Sequence, residues 1–494
     1  MKKREFHRFW LALSLVAAAT AAAAGQTKSG GIRAGIMDAS RVEGSLIGIQ
    51  YENWFVPGQA DWETAEATPI LGRYTSYDVN VMKKHFEWFD YLGIDWLLID
   101  WSNMLWMKPA WEKHRGGSRE LEKTVEVLFQ TCLQLQREGK YAPKLVFMLG
   151  LQNGPPLAGG VKRLNGIIAW INRKYLRKPD YNNLWLYYEG KPLLTVLYWP
   201  PNPCEQIGKD LERTPLTAER WAVRWMSSQL QDNHAERCGM WSWMDGTIRQ
   251  KVTYHEGRAE ETVVTPACFP FPSRGWLHGD AVGRDHGAPY IESWKEAFEN
   301  RPKFIQVHQW NEFAGQKDGQ GFPSDYWGIT GKPAKPTQNV FGDEYSPELS
   351  DDIEPTQISG CGYRGCGGWG YYFVNLTKAL ISLYRKETPD ITVMAVSAAF
   401  HPAAVKTERF RLTWNFLGHA PTSYTIRLDG KVVARNVHSL QYQLDLSTIA
   451  AGRHTAEVVA EGAHTYFDLA PDRLTRKDPK PLPVQSAVEF TLSP

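Results

Sequence analysis

Across residues 46–386, short apolar runs alternate with amphipathic segments. The first unit is typical, because SLIGIQYENWF has the character of a strand and DVNVMKKHFEWFDYLG that of a helix. In that helix the apolar residues Val79, Met82, Phe86 and Phe89 recur every three or four positions. The next strand, IDWLLIDWS, is almost continuously apolar, as expected when both faces of a strand are covered.

The same alternation continues towards residue 386. Further helices are predicted over 118–140, 161–176, 217–232, 288–301 and 369–386, and further strand-type segments over 143–153, 238–246, 264–273 and 303–313. A hairpin is predicted over 184–200, with its turn at Glu189–Gly190. Roughly eight strand–helix units predict an α/β fold, a (β/α)8 TIM barrel over residues 40–388, with insertions near 244–265 and 311–365. A doubly wound open sheet is the alternative, disfavoured because no glycine-rich phosphate-binding fingerprint follows an early strand.

The sequence pattern changes after residue 388. Short β-type runs such as RFRLTWNFLG and TSYTIRLDGKVVARN are separated by turn residues, and Asp429–Gly430 is a hairpin signal. Residues 389–494 are therefore predicted to form an all-β, immunoglobulin-like sandwich. We expect this accessory domain to pack on the barrel rather than to bind carbohydrate, because none of its segments clusters acids with aromatics.

The N-terminal segment has the three parts of a secretory signal. MKKREFHR is basic, FWLALSLVAAATAAAA is apolar, and small residues offer a cleavage site near Ala24. Residues 1–25 are therefore predicted to be a signal peptide, and the mature protein is expected to be periplasmic or extracellular. A membrane anchor is the alternative, but the apolar run is short and rich in alanine.

Charge and composition narrow the classes of partner. The chain of 494 residues carries 56 basic and 54 acidic residues, a net charge of +2, with no Lys/Arg block. We therefore expect no nucleic-acid partner and, after signal cleavage, no membrane partner. Trp (21) is as frequent as Tyr (21), and indole faces suit both protein cores and sugar rings. The oligomeric state is not indicated.

Six cysteines remain in a chain expected to reach an oxidising compartment. Within CGYRGC, Cys361 and Cys366 are predicted to form a disulfide that closes a small loop. Zinc binding is the alternative, but a second Cys/His pair is not found nearby in the sequence. The pairing of the other four cysteines is left open.

Polar residues follow four predicted strands, at the end of a barrel where active sites lie. Each group combines a carboxylate with at least one indole. The four groups are Tyr51, Glu52, Asn53 and Trp54; Asp100, Trp101, Ser102 and Asn103; Trp241, Trp243 and Asp245; and His308, Gln309, Trp310, Asn311 and Glu312. Four such groups at independent strand ends indicate a pocket that binds polyols and performs acid/base chemistry.

Hydrolysis of a glycosidic bond needs this mixture, because one carboxyl protonates the leaving oxygen and another acts as base or nucleophile. We take Glu312 as one catalytic carboxyl and Asp100 as its leading partner, followed by Glu52 and Glu344. The expected substrate-binding residues are Tyr51, His308, Asn311 and Asp245 for polar contacts, and Trp54, Trp101, Trp243 and Trp310 for stacking on sugars. Structural roles are open for three of the acids: a cap for Asp100, an Arg73 partner for Glu52, and a solvated loop for Asp245.

A second acidic segment, FGDEYSPELSDDIEPT, follows later in the chain. A calcium loop is conceivable, but the spacing is not that of an EF-hand, so a solvated or substrate-lining loop is favoured. If this segment crosses the barrel mouth, Glu344 is placed to supply the second carboxyl. We expect neither a metal nor a cofactor.

The motifs resemble those of secreted barrel enzymes. The stretch Tyr51–Trp54, the segment ILGRYTSYDVNVMKKHFEWFDYLGIDWLLIDWS and the late WNEFAGQ are similar to glycoside hydrolase families 99 and 71, which comprise endo-α-mannosidases or mannanases and α-1,3-glucanases. This resemblance, over residues 46–386, implies an exported glycoside hydrolase with a poly- or oligosaccharide substrate.

The resemblance has one departure. Family 99 carries two functional glutamates three residues apart, and Glu312 matches the first, whereas Gly315 occupies the position of the second. The family's retaining mechanism, in which the substrate's own 2-hydroxyl attacks, is therefore not carried over. A non-catalytic carbohydrate-binding protein is the alternative function, and a surface-assembly protein that docks partners through residues 389–494 is a second one.

Overall fold

The computed structural model describes most of the barrel region and part of the C-terminal region. The described residues are 35–56, 62, 65–102, 117–150, 160–197, 220–228, 239–244, 247–267, 283–313, 346–357, 361–362, 365–366, 368–385, 393–396, 403–405, 410–414, 423–439, 441–461 and 485–493. The predicted signal peptide and three of the cysteines, Cys204, Cys238 and Cys268, lie outside this set.

The described part of the N-terminal region contains thirteen strands. They are β1 Met37–Asp38, β2 Leu46–Tyr51, β3 Trp96–Trp101, β4 Lys144–Gly150, β5 Leu186–Tyr188, β6 Lys191–Leu197, β7 Ala222–Ser228, β8 Trp241–Met244, β9 Thr253–His255, β10 Arg258–Val264, β11 Phe304–Val307, β12 Cys361–Gly362 and β13 Gly365–Cys366. Parallel ladders join β2, β3, β4, β6, β7 and β8 in that order, and β10, β11 and β2 in the other direction.

Side chains connect the two ends of this series. The Ser242 N–H on β8 donates to the Glu261 carboxylate on β10 at 3.0 Å, and the Thr253 hydroxyl on β9 donates to the Met240 carbonyl at 2.6 Å. Eight parallel strands thus surround one interior, and the chain has a TIM-barrel-like fold, in agreement with the sequence prediction.

Helices follow several of the barrel strands. They are α1 Val79–Leu92, α2 Gly117–Arg137, α3 Gly160–Ile171, α4 Ala288–Asn300 and α5 Tyr372–Tyr384. Helix α1 begins where the Asp78 carboxylate accepts the N–H groups of Asn80 and Val81, and it ends at Gly93, whose φ of 86° is left-handed. None of the described helices is both long enough and apolar enough to cross a membrane.

Alternation along each strand divides the apolar residues into two buried clusters. In β2, Leu46 belongs to the cluster inside the barrel, whereas Ile47 and Ile49 belong to the layer between strands and helices. In β3, Trp96 and Leu98 are interior. Successive side chains of a strand point to opposite faces, so the register of each strand decides which side chains reach the barrel axis.

The C-terminal region is all-β in its described part. Its strands are β14 Val393–Val396, β15 Ala403–Val405, β16 Phe410–Trp414, β17 Ser423–Leu428, β18 Lys431–Val437, β19 Gln441–Leu444, β20 Gly452–Glu461 and β21 Gln485–Ser493. They form a three-stranded sheet, β14-β16-β19, and a five-stranded sheet, β15-β21-β20-β17-β18. The turn predicted at Asp429–Gly430 joins β17 and β18. The immunoglobulin-like character and the domain boundaries stay predictions.

The predicted Cys361–Cys366 pairing lies on a two-stranded ladder. Strands β12 and β13 are antiparallel and place these two residues directly opposite each other. Directly opposed residues in an antiparallel pair have Cα atoms about 4.5–5.5 Å apart, which is compatible with a disulfide. The disulfide itself stays a prediction.

Three elements differ from the sequence prediction. The stretch 264–273, predicted as a strand, has only Val264 in a strand, because β10 ends there and the described residues 265–267 belong to no strand. The stretch 217–232, predicted as a helix, contains strand β7 in its described part. The stretch 244–265, predicted as an insertion, contains the seventh barrel strand, β10, so Phe304–Val307 is the eighth. In both strands a charged side chain interrupts the apolar run, namely Arg224 in β7 and Glu260 in β10.

These two charged residues are partners inside the barrel. Arg224 Nε and its second terminal nitrogen each donate to a Glu260 oxygen at 2.9 Å, and Trp241 Nε1 donates to the same carboxylate at 2.7 Å. Burial raises the pKa of Glu260, but the Arg224 hydrogen bonds and charge outweigh it, so the net pKa is lowered. The charges of Arg224 and Glu260, which make β7 and β10 look unlike buried strands in the sequence, therefore neutralise each other inside the barrel.

Removing one partner of this pair should be costly. We expect Glu260→Gln to reduce the free energy of unfolding of the barrel by about 3 kcal/mol, because the Arg224 charge would lose its bidentate partner and keep only the half-exposed Glu189, 3.6 Å away, as a counter-ion. Urea denaturation followed by tryptophan fluorescence measures this. Glu126→Gln, which removes the partly exposed ion pair with Lys174, is the matched control and should cost less than about 1 kcal/mol. Equal losses in the two variants would contradict the buried pair's structural role.

Candidate functional site

The alternation of the barrel strands brings polar side chains to their carboxyl ends. After the interior residues Leu46 and Gly48, the next interior position of β2 is Gln50; after Trp96 and Leu98 in β3 it is Asp100. On β11 the alternation from Phe304 leads to His308, just beyond the strand. Because the carboxyl ends of parallel strands meet at one end of a barrel, these three side chains converge there.

The Gln50 amide is the centre of this cluster. Its Nε2 donates to Glu52 Oε1 at 3.3 Å and to Asp100 Oδ2 at 3.1 Å. Its Oε1 accepts from Trp243 Nε1 at 2.5 Å and lies 3.0 Å from His308 Nδ1. One buried amide thus joins residues from β2, β3, β8 and the segment after β11.

Glu52 and Asp100 share this amide, so the two carboxyls are close neighbours. Glu52 is buried and also accepts from Gln309 Nε2 at 3.3 Å, whereas Asp100, 9% exposed, accepts the Ser102 N–H at 2.7 Å. Burial raises the pKa of Asp100, although hydrogen bonds with Ser102 and with the Glu52 side chain partly offset the rise. A proton on Asp100 is favoured relative to an exposed aspartate.

Asn311 ties the end of β2 to the segment after β11. Its Oδ1 accepts the Glu52 N–H at 2.9 Å, and its Nδ2 donates to the Glu52 carbonyl at 3.1 Å and to the Tyr74 hydroxyl at 3.1 Å. The Asn311 side chain is therefore used within the protein. It positions Glu52 rather than presenting a free amide to a ligand.

Glu312, 7% exposed, is fixed through its main chain. Its N–H donates to Asp352 Oδ1 at 2.5 Å, and the next N–H, of Phe313, donates to Asp352 Oδ2 at 2.7 Å. Phe313 has a φ of 44°, a left-handed conformation that a side chain such as Phe adopts at a cost. The carboxylate of Asp352 stabilises this turn and with it the direction of Glu312.

A layer of buried charges lies behind the cluster. His308 Nε2 is 2.9 Å from Asp351 Oδ2, and Arg284 donates to the Ser350 carbonyl at 2.6 Å and to the carbonyl of Asp352. Burial and then the charge of Asp351 raise the pKa of Asp352 to about 7. Burial and then the charge of Asp352 likewise raise the pKa of Glu66 well above its usual range.

The structure brings together five of the sequence-predicted site residues: Glu52, Asp100, Trp243 and His308 contact the Gln50 amide, and Asn311 binds Glu52. A sixth, Glu312, follows Asn311 in the chain and is held through its N–H by Asp352. The role of each of these residues in catalysis or in binding stays a prediction. Asp245 and Glu344 lie outside the described residues.

The remaining four lie away from the cluster or are covered. Tyr51 and Trp101 belong to the layer between strands and helices, one alternation step away from the barrel interior, and Trp310, beyond the end of β11, packs in the same layer. Tyr51 contacts His85 Nδ1, and Trp310 packs edge-on against Phe89 with ring centroids 4.7 Å apart. Trp54 is buried in the same layer. The substrate contacts expected of these four have no support in this arrangement, because their rings are core residues.

The acidic segment near residue 350 also differs from the expectation of a solvated loop. Asp351, Asp352 and Glu354 are all buried, and Glu354 accepts from the Tyr74 hydroxyl at 2.6 Å and lies 3.1 Å from His85 Nε2. Only Glu348 among the described acids of this segment is exposed. Within the described part of the chain, no group of three or more His, Cys, Asp or Glu side chains is arranged to hold a metal ion.

Two positioning residues were missed in the sequence. Gln50 precedes the predicted group, but a polar residue in the otherwise apolar run LIGIQY is itself a signal that the position faces an interior polar site. Asp352 had no signal of this kind, since its role depends on contacts between residues 40 positions apart.

The raised pKa of Asp352 predicts a dependence of stability on pH. Because the folded state holds this proton more tightly than the unfolded state, the stability of wild type relative to Asp352→Asn should fall as pH rises from about 4 to about 7, then level off. The total change should be at most about 4 kcal/mol. Urea denaturation of both proteins across this pH range measures it.

A second aspartate provides a control of opposite sign. Burial raises the pKa of Asp38, but hydrogen bonds from Ser40 and Gly190 lower it by a larger amount. The pKa of Asp38 in the folded protein is therefore below its usual value. The stability difference between wild type and Asp38→Asn should therefore be constant across this range and change only below about pH 4. If the stability difference between wild type and Asp352→Asn were also constant across this range, the raised pKa of Asp352 would be contradicted.

The chain was compared with known proteins, and no family model and no curated protein matches it. Among solved structures it is similar to the GH99 endo-α-mannosidase from Bacteroides thetaiotaomicron in complex with bis-tris-propane, with 14% identity and a TM-score of 0.44 over 71% of this chain and 98% of that chain. A glycoside hydrolase-like protein matches with 11% identity and a TM-score of 0.42, over 70% of this chain and 96% of that chain.

A third solved structure, the endo-β-1,4-mannanase from Thermotoga petrophila, matches with 8% identity and a TM-score of 0.33, over 92% of this chain and 99% of that chain. The first of these structures is from family 99, one of the two families that the sequence motifs resemble.

Proposed function

We propose that this protein is an exported glycoside hydrolase that cleaves a poly- or oligosaccharide by carboxyl acid/base catalysis. The observation that carries the proposal is the Glu52–Asp100 pair, two buried carboxyls on one amide at the carboxyl ends of β2 and β3. A third carboxyl, Glu312, lies five residues beyond the end of β11. Paired carboxyls at a barrel mouth are the groups that glycosidic hydrolysis requires.

The environment of each carboxyl suggests its part in the reaction. Burial raises the pKa of Asp100, which suits a general acid that keeps its proton until the bond breaks. Asp100 then gives this proton to the leaving oxygen as the bond to the anomeric carbon breaks. Glu312 or Glu52 acts on the anomeric carbon, either by taking a proton from the attacking water or by attacking directly. The spacing of the acting carboxyls distinguishes these routes, about 5 Å for retention and roughly 6.5–9.5 Å for inversion.

Further parts of the proposal come from the sequence. The basic and apolar N-terminal segments support export, with residues 1–25 as signal peptide and a periplasmic or extracellular location. We also propose residues 40–388 as the barrel domain and residues 389–494 as an immunoglobulin-like accessory domain. The resemblance to families 99 and 71 places α-mannans and α-1,3-glucans first among the substrates to test.

A non-catalytic carbohydrate-binding protein is the second candidate. The observation that favours it is Gly315, which stands where family 99 has its second functional glutamate. Such a protein would bind a glycan without turnover, and its carboxyls would serve only as hydrogen-bond acceptors.

The test is incubation of the mature protein with α- and β-linked glycans, with products read by mass spectrometry. We expect wild type to release oligosaccharides, and Glu312→Gln and Asp100→Asn to lose at least about 100-fold in rate, because each removes an acid/base group. Glu256→Gln changes an exposed carboxyl in the β9–β10 turn, at the amino-terminal end of β10, and should keep the wild-type rate.

The same panel separates the two candidates. Measurable affinity for a glycan, with no product after prolonged incubation, would replace the hydrolase by the binding protein. Turnover that persists in Glu312→Gln and Asp100→Asn would show that these carboxyls are not the catalytic groups.

A further inference from the structure

The orientation of the Gln50 amide follows from a single contact. An indole N–H can only donate a hydrogen bond, so the amide atom that lies 2.5 Å from Trp243 Nε1 must be the carbonyl oxygen. The NH2 group is therefore on the other side, towards Glu52 and Asp100. Its two hydrogens match the two carboxylate oxygens at 3.3 and 3.1 Å.

His308 holds the amide oxygen from a second direction. Its Nδ1 lies 3.0 Å from Gln50 Oε1, which is an acceptor, so Nδ1 carries a hydrogen. Its Nε2 lies 2.9 Å from Asp351 Oδ2, so the imidazole ring is held between the amide and this carboxyl. The Asp351–His308 pair and Trp243 together prevent the amide from rotating by half a turn.

We propose that Gln50 is a positioning residue which holds Glu52 and Asp100 as a pair of carboxyls sharing one proton, with its orientation locked by Trp243 and His308. The proposal rests on the proposed function only for its catalytic meaning; the paired titration itself does not require turnover. The chemistry follows from the contacts. Two carboxylates beside one nitrogen repel each other, so the second proton leaves with more difficulty than the first.

The groups around the pair change its proton affinity in both directions. Each N–H of Gln50 stabilises the ionised form of the carboxyl that it meets, and so does the N–H of Ser102 on Asp100. A positive charge on His308 acts in the same sense, whereas the negative charges of Asp351 and Glu312 oppose it. Without the amide, we expect both carboxyls to hold their protons to higher pH.

The experiment is an infrared titration of the carboxylic acid carbonyl band in the full-length mature protein. In each background, the spectrum of the matching double variant, Glu52→Gln with Asp100→Asn, is subtracted, so that the difference reports the Glu52–Asp100 pair. In Gln50→Met, the midpoint of this difference signal should move upward by about one pH unit, a tenfold change in proton affinity. Trp243→Phe, which keeps a ring and removes the N–H, should move it in the same direction by less.

Gln306→Met is the matched control. Gln306 is a buried glutamine two residues before His308 on β11, and neither of its amide atoms has a hydrogen-bond partner among the described residues. It should titrate like wild type. Circular dichroism establishes that each variant is folded, and Trp243→Phe still tests the proposal if Gln50→Met does not fold. An unchanged midpoint in every folded variant of Gln50 and Trp243 would overturn the proposal, as would an equal shift in Gln306→Met.

The glycan panel separates this proposal from the proposed function. A shifted midpoint in Gln50→Met together with no turnover of any glycan by wild type would support the carboxyl pair in a protein that only binds. If wild type does cleave a glycan, the acidic limb of its pH–rate profile should move upward in Gln50→Met and stay in place in Gln306→Met. Turnover with an unchanged acidic limb in Gln50→Met would count against Gln50 and leave the hydrolase in place.

Discussion

The alternation of side chains along the parallel strands is the constraint on which the rest of this structure depends. Once the strands close around one interior, every second side chain points to the axis and its neighbours point to the helices. In β2 this places Gln50 inside and Tyr51 outside. A shift of one residue would exchange the two, bury the amide against the helices, and separate Glu52 and Asp100 from their common donor.

The barrel encloses charges at two levels and balances them differently. Inside the barrel, Arg224 and Glu260 form a bidentate pair whose hydrogen bonds offset the cost of removing both ions from water. Behind the mouth, acids outnumber the basic partners in the described residues: Asp351, Asp352 and Glu66 face Arg284 and His308. Part of the negative charge there is neutralised by protons that the buried carboxyls retain. The stability of this region therefore depends on pH.

The same buried acids fix the positions of residues at the mouth of the barrel. Asp352 holds the Glu312 turn, Asp351 faces His308, and His308 in turn faces the Gln50 amide. A chain of contacts thus runs from the segment near residue 350 to the Glu52–Asp100 pair. Where family 99 places two glutamates on one loop, this chain has Gly315 at the second position and a separate carboxyl pair on β2 and β3.

The sequence by itself determined the α/β alternation and most strand and helix positions, and it predicted Glu52, Asp100 and Glu312 as strand-end carboxyls, because periodicity and strand-end polarity are local properties. It misassigned β7 and β10, since Arg224 and Glu260 look unsuitable for buried strands until each is paired with the other. It also placed Tyr51, Trp101 and Trp310 at the mouth, since a strand end alone does not reveal its facing. Only the tertiary structure decided these points, because register, burial and ion pairing depend on residues far apart in the chain.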